Sequence, residues 1–430
     1  MREGSDVFNK KSLRGAALVL MVLILIASIS GCVQPTETPK PAEKPTKDKI
    51  VIGFTVALSG PGAATGTEQL RAYLTWKEWV NSKGGIYVAE YGKKLPVEFI
   101  YYDDGSEPAR AKSLYEKLIV EDKVDLLLAP WGTYIHLAIV PVIEKYGIPV
   151  VGNTAGVESE KIEELKTQYM FFTWPSPETS AMATVLFLEK VGVKNIALLY
   201  AQTDFTVANA KWVKKIAEDR KSLEIVLYEG YPYGATDLKG VLLKIKDKNV
   251  DAVVIQSYPP DAILSTTQMK ELKINPKLFM LGVGGQILAF YEKFDNATKE
   301  GIVAVNNWHP VFYPESSELY GLYTKNYGFN PPSHTLGLGW LSCIVLEKAI
   351  EKAGSLNTTK IRNALATEAF KTPFGDVKFE KQVNVKSLIV FDQWQNGELK
   401  PIAAYAGAYP NVREVTELKT EKMVYPKPEW

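Results

Sequence analysis

From residue 50 to about residue 281 short apolar runs alternate with longer amphipathic ones, and the alternation occurs twice. In the first series IVIGFTVA, VEFIYYDD, DLLLAP and IPVVGN are separated by segments of helical spacing at 68–82, 108–120 and 133–145. In the second, YMFFTW, NIALLY, EIVLYEG, DAVVIQ and KLFMLG are separated by 178–191, 207–219, 237–248 and 261–272. Strands that are apolar along their whole length are buried on both faces, and the helices between them supply the cover. The pattern therefore dictates parallel sheets wound on both sides, and two series predict two lobes. After GIVAVNNW the order changes: helical segments at 316–327, 336–353 and 358–369 precede the strand-like DVKFE and SLIVFDQW. A helical block followed by β-structure predicts that the chain returns to the first lobe and then to the second. The expected fold class is α/β, two doubly wound Rossmann-like lobes with a ligand cleft between them, because such sheets bind at the carboxyl ends of their strands.

The first fifty residues stand apart from this body. Arg2, Lys10, Lys11 and Arg14 precede AALVLMVLILIASIS, and the apolar run 16–29 ends in small residues before Gly31 and Cys32. A basic start, a short apolar core and a small-residue end make a secretory signal. ISGC resembles the lipobox of secreted lipoproteins, with Ile29 where Leu is usual. Residues 1–31 are thus the expected signal peptide and Cys32 the expected lipidation site. VQPTETPKPAEKPTKDK follows, too polar to bury surface and kept extended by proline, so 32–48 reads as a disordered tether. An acyl chain on Cys32 would hold the body to the outer face of the cytoplasmic membrane. Cys343 is the only other cysteine. With Cys32 lipidated it has no disulfide partner and is expected to be a small buried apolar residue.

Charge and motifs argue against nucleic acid, metal and catalysis. Lys plus Arg number 50 and Asp plus Glu 49, with no basic excess for a phosphate backbone. The loop ALSGPGAATG puts Gly60, Gly62 and Gly66 after the first strand, but Thr65 stands where a dinucleotide fingerprint needs Gly or Ala, and no Lys-Ser/Thr pair follows. What remains is a tight turn and free N–H groups at a helix start, which suit an anion or polar ligand. His136, His309 and His334 are the only histidines, too few for a His-based metal site, and neither a metal nor another cofactor is expected. No Gly-x-Ser-x-Gly elbow occurs. The pair Asp103-Asp104 points to opposite faces of a strand and is expected to fix its loop rather than share a proton. His136 reads as a helix-surface residue and His334 as part of a pre-helix cap. No nucleophile pairs with a base, so the chain is not expected to be an enzyme.

IVIGFTVALSGPGAATG, WVNSKGGI, IYYDDGSEPARAKSLYEKLI and YGIPVVGNTAG together resemble the branched-chain amino acid (Leu/Ile/Val) receptor family of ABC importers, solute-binding proteins of the type I periplasmic-binding fold. The resemblance runs from about 49 to 397. It implies three crossovers, near 172–176, 306–310 and 371–375. Lobe 1 would comprise 49–172 and 308–372, lobe 2 173–307 and 373–400, with 401–430 a C-terminal extension. It implies a receptor, expected to be a monomer, that closes on a small ligand and presents it to ABC permease subunits. A ligand sensor of the same fold that signals to a partner would carry the same residues. The ligand carboxylate would meet Thr133 and the 154–156 turn, Thr154, Ala155 and Gly156, although the family's hydroxyl place there falls on Gly156. Ser59, Thr65 and Gly284 belong to other cleft loops, and Trp131, Tyr134, Phe205 and Tyr258 are expected aromatic contacts. Trp174 and Trp308 read as packing and hinge. Where the family places an acid for the ligand amine, after FM, Val283 stands. Either Asp204 or Asp261 replaces it, or the ligand is not an α-amino acid.

Overall fold

The computed structural model describes residues 46–430. The expected signal peptide 1–31, the expected lipidation site Cys32 and most of the expected tether lie outside the described residues. Among the described residues no helix is long and apolar enough to cross a membrane.

The first strand, Ile50–Val56, lies between Val97–Asp103 and Leu126–Leu127, all parallel. Ile50, Ile52, Phe54 and Val56 are fully buried. Helices Ala63–Ser82, Pro108–Val120 and Thr133–Tyr146 follow the three strands in turn. Strands Val150–Gly152 and Met170–Phe172 continue this lobe and share a core with Leu127 and Ile139. The second lobe is built on an eight-stranded sheet. Its parallel part runs Val303–Asn306, Leu278–Leu281, Ala252–Gln256, Asn195–Ala201, Glu224–Tyr231. Both lobes therefore have the wound architecture that the doubled alternation requires.

The late helices return to the first lobe. Trp340 of helix His334–Ala353 donates its indole N–H to the carbonyl of Ala72 (2.9 Å), and Trp76 donates to Glu347 (3.1 Å). Trp308 is fully buried there among Tyr320, Trp340 and Phe374, a packing residue. Cys343 is buried and free.

Two expectations are corrected by the strand pairing. The segment from 373 does not pass at once to the second lobe. Val377–Glu380 pairs with Ala369–Phe370 and with Val383–Asn384, and Val383 pairs in parallel with Phe172. The reason is one-sided burial: Val377 and Phe379 are buried while their neighbours are exposed, and Phe379 packs on Phe171 of the first lobe (centroids 5.1 Å). The third crossing accordingly lies between Asn384 and Leu388. Nor is 401–430 an appendage. Leu388–Gln395 joins the large sheet antiparallel to Val303–Asn306, Glu398–Ala406 pairs with it, and Arg413–Glu414 follows. The remaining tail runs on along the same lobe. Val424 N–H donates to Gln393 Oε1 (2.8 Å), Lys427 N–H to the carbonyl of Lys277 (2.7 Å), and the Trp430 indole to the carbonyl of Thr298 (3.0 Å).

Candidate ligand-binding site

The loop after the first strand is set by a carboxylate and a glycine. Asp103 accepts from the backbone N–H groups of Leu58 (2.9 Å) and Ser59 (3.2 Å) and from the Ser59 hydroxyl (2.6 Å). Its neighbour Asp104 points the other way, to the buried Thr55 hydroxyl (2.7 Å). Gly60 has φ +76°, and a Cβ there would lie 2.4 Å from the carbonyl oxygen of Gly105, so only glycine fits. The loop then rests on Trp131: a Cβ on Gly62 would lie 2.9 Å from Cε3 and Cζ3 of that indole.

Between the lobes is an inner compartment walled by rings. Trp131, Thr133 and Thr154 come from first-lobe loops, Trp174 from the first crossing, Phe205, Tyr258 and Val283 from the second lobe, and His334 from the start of the long helix. The rings meet edge to face: Trp131 and Tyr258 at 5.7 Å, Trp174 and Phe205 at 5.8 Å, Trp174 and His334 at 4.8 Å. They leave a cavity of about 10 Å³, room for about one water molecule. Thr133 also lines an outer cleft of about 670 Å³, with Gly156, Glu158, Asp204 and Lys211.

Polar groups converge where the two spaces adjoin. Thr133 is the first residue of helix Thr133–Tyr146, and its hydroxyl accepts from the N–H of Gly156 (3.2 Å). Gly132, at φ +92°, donates its N–H to the Thr154 hydroxyl (3.1 Å). These hydroxyls and N–H groups sit at the positive end of a helix, which favours an anion.

No carboxylate belongs to the wall of the inner compartment. Val283 occupies it, 4% exposed, with its carbonyl accepting from Ser257 Oγ (2.7 Å). Asp261 instead caps helix Pro259–Glu271, accepting from the N–H of Tyr258 (3.1 Å), and burial pushes its carboxyl up to about 6. Asp204 is exposed in the outer cleft.

The histidines are buried and neutral. Burial pushes His334 down to about 3, and its Nδ1 lies 2.6 Å from Gln286 Nε2 of the second lobe. His136, expected on a helix surface, is buried instead, with Nδ1 at 2.8 Å from the carbonyl of Gly132, and burial pushes it down to about 4. The lobes are also tied at the rim. Glu158 Oε1 accepts from Lys211 Nζ (2.9 Å) and from the Trp212 indole (2.7 Å), and Glu178 accepts from the N–H of Ser159 (3.0 Å).

Of the residues singled out in the sequence, Trp131, Thr133, Thr154, Phe205 and Tyr258 meet in the inner compartment, and Gly156 and Asp204 in the outer cleft. Tyr134 lies beside them with a buried hydroxyl. Ser59 is exposed and bound to Asp103, and Thr65 is buried with its hydroxyl donated to the carbonyl of Gly62 (3.1 Å). Ala155 is buried in the first-lobe core, and Gly284, at φ +104°, backs onto Pro259. These four line neither space. Trp174 and His334, read as hinge and cap, are walls of the compartment. Tyr233, absent from the sequence reading, packs on Tyr258 at 5.2 Å.

Residues 49–391 match the family model described as "Periplasmic binding protein". A leucine-, isoleucine-, valine-, threonine-, and alanine-binding protein of Pseudomonas aeruginosa is 25% identical over 345 residues, 79% of this chain and 88% of that one. Among solved structures, a branched-chain amino acid transporter substrate binding protein of Streptococcus pneumoniae, in complex with isoleucine, is similar at TM-score 0.72 and 23% identity, covering 86% of this chain and 99% of that one. A solute binding protein of an ABC transporter from Rhodopseudomonas palustris BisB5, in complex with 3,4-dihydroxy benzoic acid, is similar at TM-score 0.74 and 20% identity, covering 85% and 99%. At these identities the structural likeness speaks for the two-lobed fold. With four fifths of its length matched by the model, the chain belongs to the periplasmic binding protein family, a family of solute-binding receptors rather than enzymes.

Proposed function

We propose that this receptor captures a small carboxylate with an apolar, ring-bearing body and no ammonium group, and hands it to the permease of an ABC importer. One observation carries the reading: the inner compartment offers the hydroxyl of Thr133, at a helix start, and that of Thr154 beside it but no carboxylate, with Val283 in its wall. An ammonium desolvated there would lack a counter-charge, which is costly. The Thr133 and Thr154 hydroxyls would hold the ligand carboxylate, and Trp131, Trp174, Phe205 and Tyr258 would enclose its body. Since the rings leave little space, ligand enters when the lobes part and is enclosed as they return, with Glu158 bonding across the rim. The related proteins whose ligands are an amino acid and a hydroxylated benzoic acid bracket this choice. The body would stand outside the cytoplasmic membrane, held by lipid on Cys32, and Cys32→Ala should move the protein from the membrane fraction to the soluble one.

Thermal unfolding of the protein with millimolar benzoate, isoleucine or leucine tests the ligand class, because a ligand of the native state raises the transition. Benzoate should raise it and the amino acids should not. A shift with isoleucine and none with benzoate would refute the reading.

A further inference from the structure

We propose that a cavity between the lobes, separated from the ligand cleft by the Glu158 bridge, is a second binding site that takes a small organic cation, with the Glu178 carboxylate as its counter-charge. The site goes beyond the carboxylate-receptor reading and does not depend on it.

The cavity measures about 580 Å³, within the range of small-molecule sites. Its walls come from both lobes. Helix Ser159–Leu165 and the stretch 380–385 belong to the first, and the start of helix Pro177–Val191, Trp212 and Tyr409 to the second. Ser176 and Asn384 place it beside the first and third crossings. Glu158 divides it from the outer cleft: the carboxylate accepts from Lys211, which lines the cleft, and from the Trp212 indole, which lines this cavity. Glu178 is the residue in the wall that calls for a partner. It is 5% exposed. One of its oxygens accepts from the N–H of Ser159 across the lobes (3.0 Å), and the other is buried with no hydrogen-bond partner. A carboxylate oxygen only accepts, and a buried one left unpaired is costly, so the missing group is a donor.

Charge selects the donor. Elsewhere in the wall Glu163 is paired with Lys381, and Glu380 with Lys378. The remaining ammonium at the bridge, Lys211, is shared. Its hydrogen bond to Glu158, opposed by desolvation and helped by the charges of Glu158, Glu160 and Glu178, holds it above its ordinary range. One cation therefore faces three carboxylates, and a second is favoured. Among the described residues no three His, Cys, Asp or Glu side chains group to hold a metal ion. The wall instead offers the rings of Trp212 and Tyr409, 5.4 Å apart, and the apolar Ile162. Rings attract an ammonium and cover a carbon skeleton. The fitting ligand is an amine or amidine on an apolar body.

Calorimetric titration with benzylamine, and with benzyl alcohol as its uncharged counterpart, tests the site in the wild type, Glu178→Gln and Glu160→Gln. Glutamine at 178 keeps an acceptor oxygen for Ser159 and removes only the charge. The wild type should bind benzylamine about tenfold or more tighter than benzyl alcohol, and Glu178→Gln should lower benzylamine affinity about tenfold, the loss of a hydrogen bond to a charged group. Glu160→Gln, at an exposed position, should lower it about twofold by weakening the field. Saturating benzoate or isoleucine should not displace benzylamine, because the cleft lies on the other side of Glu158. No binding of benzylamine, an affinity that neither variant lowers, or displacement by either cleft probe would overturn the site.

Discussion

Glu68→Gln should make the protein more resistant to unfolding at pH 8 than at pH 4.5, relative to the wild type. Glu68 lies on helix Ala63–Ser82, 5% exposed, and accepts from Asn330 Nδ2 (2.8 Å) and Ser333 Oγ (2.7 Å). Burial pushes its carboxyl from 4.5 up to about 7, against those two bonds and the charge of Arg71. Between pH 4.5 and 7 the folded chain keeps a proton that the unfolded chain has released. The stability this group contributes is full below pH 4.5 and is lost as pH rises through 7. The difference between the two values, at about 1.4 kcal/mol per pH unit, amounts to about 3 kcal/mol. Glutamine keeps the size and an acceptor oxygen for Ser333 and Asn330 but cannot ionise. For roughly 385 ordered residues the unfolding entropy is about 0.8 kcal/mol/K, so the Tm of the variant minus that of the wild type should grow by about 4 °C from pH 4.5 to 8. Scanning calorimetry of both proteins at the two pH values measures it. A difference that is constant, or that moves toward the wild type as pH rises, would refute the reasoning. The site is involved as well, because Ser333 caps the helix that begins with His334.

Three further outcomes are expected. Glu158→Ala removes the rim bonds to Lys211 and Trp212. Both partners are partly exposed, so benzoate affinity should fall only about two- to fivefold in calorimetry, with a larger radius of gyration in solution scattering of the liganded protein. Gly156→Val would place a Cβ 2.9 Å from Phe205 Cε2 and Trp174 Cδ1, so it should weaken benzoate binding by about tenfold or more while far-UV circular dichroism is unchanged. Thr65→Val replaces a hydroxyl whose partner is the Gly62 carbonyl and should leave benzoate affinity within about twofold, measured by the same titration.

The wound architecture was legible because it rests on uninterrupted apolar strands such as DAVVIQ, which need cover on both faces whatever surrounds them. The aromatic loops were legible for a similar reason: Trp131, Phe205 and Tyr258 each follow a strand's carboxyl end, where both lobes must bind. Trp174 was read as hinge because it lies at a crossing, and only the folded chain shows that the crossing runs beside the cleft. His334 follows the cleft strands late in the chain and reaches Trp174 through the return of the helical block. Tyr233 stands in YPYGATD, a stretch with no spacing signal, and its place depends on packing against Tyr258. Thr65 occupies the right loop, but its first helical turn claims the hydroxyl. The assignment of 373–384 turned on two alternating residues, Val377 and Phe379, whose partner Phe171 is some 200 positions away.

The late crossings carry a consequence for biogenesis. The first lobe lacks an edge until residues 369–384 arrive, and the second lacks part of its sheet and its tail contacts until Trp430 does. Neither half can be completed as an early product of synthesis, and pairings as distant as Phe172 with Val383 delay closure of the first core. Each lobe is complete only when its late pairing has formed, Val383 with Phe172 in the first and Trp430 with Thr298 in the second.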